Sequence, residues 1–309
     1  MATNVYEGLI AAVFSPMSAD GSVNLQIVPR IVEHLIRTGV RGLYVCGTTG
    51  EGALLTSRER CDVAQAYVAE VGGRIPVIVQ VGHDSLAEAR QLAQHAQAIG
   101  ANAIAAVPPV YFRPPSLDIL VDCLSEISSA VPDMPFFFYH IPRLTGVSVD
   151  IFDLLSIARK RLPALAGIKY SAPTIDGLQA CLHFEQGRYT ILFGCDEMLL
   201  SALCVSAKGA VGSTYNLAPR LYLGIMEAFQ CRDMNRAERL QELSVQMVRI
   251  LYRYGGLSAI KATMGLLGLD CGPCRRPLQT LPGDQIEALG QDLERIGFFT
   301  WQEGENPPA

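Results

Sequence analysis

An eight-stranded α/β barrel followed by a helical extension is the fold this sequence predicts. Three observations carry that reading. Eight short apolar runs rich in Val, Ile and Phe recur before residue 213. They are continuous rather than alternating, the texture of strands buried on both faces of a parallel sheet. Segments of helical spacing separate them, and β-α-β order implies parallel strands. The early strand-to-strand interval is roughly 30 residues, the size of a βα unit.

The runs span 9–14, 42–46, 76–81, 103–107, 135–139, 165–170, 190–193 and 209–212. After the first, Ile27, Ile31, His34, Leu35 and Thr38 share one helical face. Ser57, before Arg58-Glu59-Arg60, reads as the cap of the second helix. Asp84 reads as the cap of the third, which carries Leu86, Leu92, Ala93, Ala96 and Ile99 and stops at Gly100. Residues 193–209 leave room for only a short helix. Element order alone also admits a doubly wound open sheet, so the barrel and the open sheet both stand at this point.

After Tyr215 the strand signals vanish. Helices are expected near 219–230, 233–253, 257–267 and 283–296. The chain therefore reads as a barrel over 1–218 and a helical extension over 219–309 packed on it. The tail from Trp301 to Ala309 is polar, carries Pro307-Pro308 and is expected to fray.

Composition narrows the function classes. Half of the 309 residues are apolar, enough to bury a core. The charge-free apolar stretch 198–207, closed by Glu197 and Lys208, falls short of the ~20 residues a bilayer needs. A net charge of −5 argues against nucleic acid as a partner. Nine Cys, an odd number spread along a long chain, do not form a disulfide framework. The opening MATNVYEGLI shows no basic region followed by an apolar one, so no signal peptide is expected and a cytoplasmic location is.

Catalytic groups of such barrels sit at the C-terminal ends of the strands. Those ends here carry Gly47-Thr48-Thr49-Gly50-Glu51, Pro108-Pro109-Val110-Tyr111, Tyr139-His140-Ile141-Pro142, Lys169-Tyr170-Ser171, Gly194-Cys195-Asp196-Glu197 and Gly212-Ser213-Thr214. Lys169 lies inside an otherwise apolar strand, where a charged ammonium is costly. Burial favours the free amine, which condenses with a ketone. The alternative is a Lys at a strand end with its head in water. Tyr139 ends the run Phe136-Phe137-Phe138 and reads as a proton shuttle or as a core aromatic. The Gly-Thr-Thr-Gly turn offers hydroxyls and N–H groups for a carboxylate, or is only a turn. Asp196-Glu197 suits sugar hydroxyls, or caps the next helix. Together these groups suit a 2-oxo acid with a polyhydroxy portion.

These residues resemble those of the N-acetylneuraminate lyase and dihydrodipicolinate synthase superfamily of class I, pyruvate-dependent aldolases. Three signatures stand in register: residues 47–51, Tyr139-His140-Ile141-Pro142 with Thr145-Gly146, and Gly167-Ile168-Lys169. Residues 193–197 with 199–203, residues 209–216, and Gly272-Pro273 with 276–279 are similar to the lyase branch. The likeness covers about residues 7–299. It implies a Schiff base on Lys169, Tyr139 as proton shuttle, and Thr48 bonded to Tyr139. With Thr49, Thr48 would hold the carboxylate. Tyr111 would reach into a neighbouring subunit's relay, and Ser171, Gly194, Asp196, Glu197 and Ser213 would bind the sugar chain.

The implied reaction is reversible cleavage of N-acetylneuraminate to N-acetylmannosamine and pyruvate, in a homotetramer. No metal or other cofactor is expected, because the protonated imine is the electron sink and the five His form no HxxxH pattern. Aldolases of 2-keto-3-deoxy sugar acids, a dehydratase, the synthase and a non-catalytic sugar-acid binder remain alternatives. The synthase places an Arg directly before the Thr of its Tyr-x-x-Pro-x-Arg-Thr motif. Leu144 stands there in this chain, and Arg143 lies one position earlier. Cys271-Gly272-Pro273-Cys274 has thioredoxin spacing, but Arg275-Arg276-Pro277 does not continue as the helix a redox pair opens.

Overall fold

The structure, a computed structural model, describes residues 5–302. Its eight strands are β1 (Gly8–Ala12), β2 (Gly42–Val45), β3 (Val77–Gln80), β4 (Ala103–Ala106), β5 (Phe136–His140), β6 (Leu165–Tyr170), β7 (Thr190–Phe193) and β8 (Gly209–Gly212). All neighbours pair in parallel, and β1 pairs with β8. Closure excludes the open doubly wound sheet. Around the barrel lie α1 (Val28–Arg37), α2 (Ser57–Val71), α3 (Leu86–Ala98) and α4 (Leu117–Ser128). They are followed by the single turn α5 (Pro142–Thr145), then α6 (Ile151–Arg161), α7 (Ile175–His183) and the short α8 (Leu199–Cys204).

Side chains alternate across the strands and divide the core in two. Ile10, Ala12, Tyr44, Ile78, Ala103, Ala105, Phe137, Tyr139, Leu192 and Val211 fill the barrel interior. Their outward neighbours, Leu9, Leu43, Val45, Phe138 and Ile168 among them, pack under the helices. Small Ala103 and Ala105 on β4 leave room for Phe137 and Tyr139 on β5. Tyr6 closes the bottom of the barrel, its ring 5.2 Å from Phe137 and its hydroxyl donating to the Asn102 carbonyl at 3.1 Å.

One irregularity decides where the chemistry lies. Phe136 pairs with Leu165, but Phe137 pairs with Gly167, so the register slips by one residue at Ala166. A one-residue slip exchanges the faces of everything beyond it. It brings Lys169 opposite Tyr139, with both inside the barrel. Gly167 is required there: a Cβ would lie 1.9 Å from the Thr190 carbonyl oxygen.

Beyond β8 the chain forms α9 (Pro219–Gln230), α10 (Met234–Arg253), α11 (Leu257–Leu266) and α12 (Gly283–Arg295). Leu221, Leu240, Met247, Met264, Leu289 and Leu293 join the outer core. A buried ion pair also ties this region to the barrel. Lys261 Nζ donates to Glu51 Oε1 at 2.6 Å and to the carbonyls of Pro273 (2.7 Å) and Ser15 (3.3 Å). Arg275 N donates to the other Glu51 oxygen at 2.7 Å.

Three local expectations need correction. Thr56, not Ser57, caps α2: Thr56 Oγ1 accepts from Glu59 N, and Glu59 Oε2 accepts from Thr56 N. The Ser57 hydroxyl is drawn instead to Glu88 on α3, at 2.5 Å. Ser85, not Asp84, caps α3, because Asp84 accepts from Val110 N (2.6 Å) and Tyr111 N (3.2 Å) in the β4–α4 loop. Trp301, expected in a frayed tail, is buried against Phe298. The rest of that tail, from residue 303, and residues 1–4 lie outside the described residues. No described helix is long and apolar enough to cross a membrane.

Candidate active site

Lys169 is 4% exposed, far less than a strand-end lysine that extends its side chain into water. Its Nζ makes no hydrogen bond among the described residues. It lies instead 3.9 Å from the ring centroid of Tyr139 and 4.1 Å from that of Tyr44. The two rings meet edge to face with centroids 5.6 Å apart. Tyr139 is buried apart from its end, and its hydroxyl lies 3.2 Å from Thr48 Oγ1. An amine, a phenol and a threonine hydroxyl from β6, β5 and the β2 loop thus form one connected group.

The turn that carries Thr48 is held from several sides. Glu51 N donates to the Thr48 carbonyl and Gly52 N to the Gly47 carbonyl, each at 3.0 Å. Cys46 and Glu51 flank it with left-handed backbone, φ 58° and 52°. Ser15 Oγ donates to the Gly50 carbonyl at 2.6 Å, and Lys261 anchors Glu51 from α11. Thr48 stands exposed at the barrel mouth while Thr49 is buried.

A second group lines the ends of β6, β7 and β8. Asp196 is buried, and its Oδ2 accepts from Thr214 N (2.9 Å) and Thr214 Oγ1 (2.6 Å). The Thr214 hydroxyl lies 2.6 Å from the Tyr222 hydroxyl, to which Ser244 donates at 2.9 Å. The only consistent order of donation runs Ser244, Tyr222, Thr214, Asp196, a relay from α10 through α9 to the carboxylate. Asp196 is therefore not the helix cap that was the alternative reading. A Cβ on Gly212 would lie 1.9 Å from Asp196 Oδ1, so only glycine admits the carboxylate there.

Burial pushes the Asp196 carboxyl up to about 6, opposed by the Thr214 hydrogen bonds. A charge on Lys169 would also lower it, by less than the Thr214 hydrogen bonds do. A Cβ on Gly194 would lie 2.0 Å from Ser171 Oγ, which sets these two residues against each other. Ser171, Glu197 and Ser213 are half-buried, and their side chains carry no hydrogen bond from another described residue.

Tyr111 is not brought to this group. It is 80% exposed on the β4–α4 loop, its ring stacked edge-on against Phe112 at 4.9 Å. Arg143 donates to the Tyr252 hydroxyl at 2.8 Å and lies over that ring, so α10 holds it. His140 points out of the barrel beside Phe138 and Tyr170, and burial lowers it to about 4. It is a neutral packing residue. Burial pushes the Cys271 thiol up to about 12 and raises that of Cys274, the reverse of an activated redox pair. No helix opens after them until Gly283.

Sequence reasoning overlooked Tyr44, Lys261 and the Thr214–Tyr222–Ser244 relay. Tyr44 could have been found by counting in twos along β2. Lys261 interrupts the apolar helix Leu257–Leu266 as Lys169 interrupts β6.

A parallel eight-stranded barrel with a lysine buried among tyrosines at one end defines a class of aldolase-like barrels. The chain belongs to the dihydrodipicolinate synthetase family, whose model matches residues 5–296. It is 37% identical to the N-acetylneuraminate lyase of Gallus gallus over 304 residues, 97% of this chain and 98% of that one. Among solved structures it is similar to the N-acetylneuraminate lyase of Proteus mirabilis, at 38% identity and a TM-score of 0.93 over 96% of this chain and 100% of that one. The sialic acid aldolase of Ruminococcus gnavus, solved as a catalytic lysine mutant, matches at 27% identity and a TM-score of 0.91, over 97% and 98% of the two chains.

Proposed function

We propose that this protein is a Schiff-base aldolase that cleaves N-acetylneuraminate to N-acetylmannosamine and pyruvate, reversibly. The observation that carries this reading is the Lys169 amine, buried against Tyr139 without a hydrogen-bond partner among the described residues, with the Tyr139 hydroxyl meeting Thr48. Family membership and the names of its relatives support the substrate.

The Lys169 lone pair attacks the C2 carbonyl of the open-chain acid, Tyr139 gives its phenolic proton to the resulting carbinolamine hydroxyl, and water leaves to give a cationic iminium and a Tyr139 phenolate. Tyr139 takes the proton of the C4 hydroxyl. The C3–C4 bond breaks, its electrons flow into the iminium to give an enamine, and the aldehyde departs. Tyr139 returns the proton to C3, and hydrolysis frees pyruvate and the amine. Thr48 and Thr49 hold the carboxylate through hydroxyl and backbone N–H groups. Ser171, Gly194, Asp196, Glu197 and Ser213 line the sugar chain. The imine supplies the electron sink, so we read the reaction as needing no metal.

Tyr111, exposed in the single chain, would complete the proton relay of a neighbouring subunit in a cytoplasmic homotetramer. The test is pyruvate release from N-acetylneuraminate beside a Lys169→Ala control, followed by borohydride trapping with pyruvate. Release by the wild type alone, with the mass increase on Lys169, is the expected result. An adduct without release moves the substrate to another 2-keto acid of the superfamily. No adduct leaves a sugar-acid binding protein.

A further inference from the structure

We propose that Tyr44 is a further catalytic residue: the face of its ring stabilises the cationic iminium that forms on Lys169. The inference rests on the Schiff-base reading above and adds a residue to it. Lys169 Nζ is the reacting atom, and it lies between two aromatic faces, 4.1 Å from the Tyr44 centroid and 3.9 Å from that of Tyr139. Both distances are well inside the ~6 Å over which a cation is attracted to a ring face.

The chemistry needs such a group. Iminium formation joins Nζ to the carbonyl carbon, takes one proton from Tyr139, expels water and leaves a positive charge on a nitrogen within the barrel. Among the described residues no carboxylate is bonded to that nitrogen to compensate it. A carboxylate in contact would hold the free lysine as an ammonium and block its attack. A ring face attracts the iminium through its quadrupole and carries no net charge, so it holds an ammonium less firmly than a carboxylate in contact would. Tyr139 has a proton to move through its hydroxyl. Among the described residues the Tyr44 hydroxyl has no hydrogen-bond partner, and the side chain is completely buried, so its contribution comes through the ring.

The placement is built into the turn as well. A Cβ on Gly47 would lie 2.7 Å from a Tyr44 ring carbon, so the chain segment carrying Thr48 rests directly on this ring. The edge-to-face contact with Tyr139 fixes the angle between the two faces at 74°. Lys169 therefore meets both faces without a rearrangement of either.

The experiment replaces Tyr44 by phenylalanine and then by phenylalanines carrying one, two, three and five ring fluorines, which weaken the quadrupole at nearly constant shape. The readout is the pyruvate concentration that half-saturates borohydride trapping at Lys169, with thermal midpoints measured alongside. Tyr44→Phe should stay within about twofold of wild type. The half-saturating concentration should then rise stepwise with fluorine number, by about tenfold or more across the series, while the midpoints stay together. Tyr44→Leu should match the most fluorinated ring.

A flat fluorine series overturns the proposal, even if Tyr44→Leu is impaired, because shape alone would then explain the loss. A Tyr44→Phe variant as impaired as Tyr44→Leu overturns it too, since the hydroxyl would be what matters. Absence of any adduct in the wild type overturns the Schiff-base reading instead, before the series is begun.

Discussion

Lys169 and Lys261 are buried to nearly the same degree, 4% and 2% exposed, yet their surroundings are opposite. Lys261 spends all three donors, on Glu51 and on the Pro273 and Ser15 carbonyls. Its charge is compensated and its amine is unavailable. Lys169 Nζ has no hydrogen-bond partner among the described residues and lies over two ring faces. Burying a charge is costly unless it is paired and hydrogen-bonded. The first lysine satisfies that rule and fastens α11 to the Gly47–Glu51 turn. The second breaks it, and a site where a local rule is broken without compensation is where chemistry is expected.

The difference can be broken at either end. The largest effect falls on Lys169→Ala. Turnover and borohydride trapping should both vanish while the thermal midpoint holds or rises, since no hydrogen bond is lost. Measurable turnover in that variant would remove Lys169 from the mechanism. Tyr139→Phe comes next, with kcat lower by ~10²–10⁴, the range of a positioned acid–base group. A near-wild-type kcat would hand the proton to another group.

Lys261→Met inverts the pattern. It leaves Glu51 buried and uncompensated, a loss of about 3–5 kcal/mol in stability. Trapping at Lys169 should persist in whatever protein remains folded. Adding Glu51→Gln should recover much of the loss in denaturant unfolding. If the single and double variants are equally unstable, the pair is not what holds the turn.

How much of this contrast was legible beforehand depends on what each residue competes with. Lys169 stood out because a charge in a doubly buried strand has no ordinary explanation, and the eight apolar runs were plain for the same reason. Lys261 broke an apolar helix in the same way, but helices have an exposed face, so a lysine there raises no alarm. Tyr44 was hidden among residues of its own kind, one apolar side chain in the run Leu43-Tyr44-Val45. Its role depends on the register slip at Ala166, which composition does not reveal. The caps of α2 and α3 were each misplaced by one residue. Neighbouring polar side chains compete for the same N–H groups, and tertiary partners, Glu88 and the Val110 and Tyr111 amides, decided the outcome.

Asp196 sharpens the comparison from the acidic side. Like Lys169 it is buried with no ion-pair partner among the described residues, and burial pushes it up to about 6 against an ordinary ~3.9. Between those two values the folded protein keeps a proton that the unfolded chain has released. Stability therefore falls as pH rises through that window. The contribution is fully present below about pH 4 and lost as pH passes about 6, a change on the order of 3 kcal/mol.

Asp196→Asn removes the titration, so the stability difference between wild type and this variant should slope between pH 4 and 6 and flatten above 7. A difference flat throughout would mean that Asp196 ionises at its ordinary value. It would also mean that the Thr214–Tyr222–Ser244 relay offsets the whole penalty of burial. The charge on Glu51, bonded to Lys261 and the Arg275 amide, needs no such relay, because its partners are permanent. Asp196 keeps one oxygen, Oδ1, outside the relay and against Gly212.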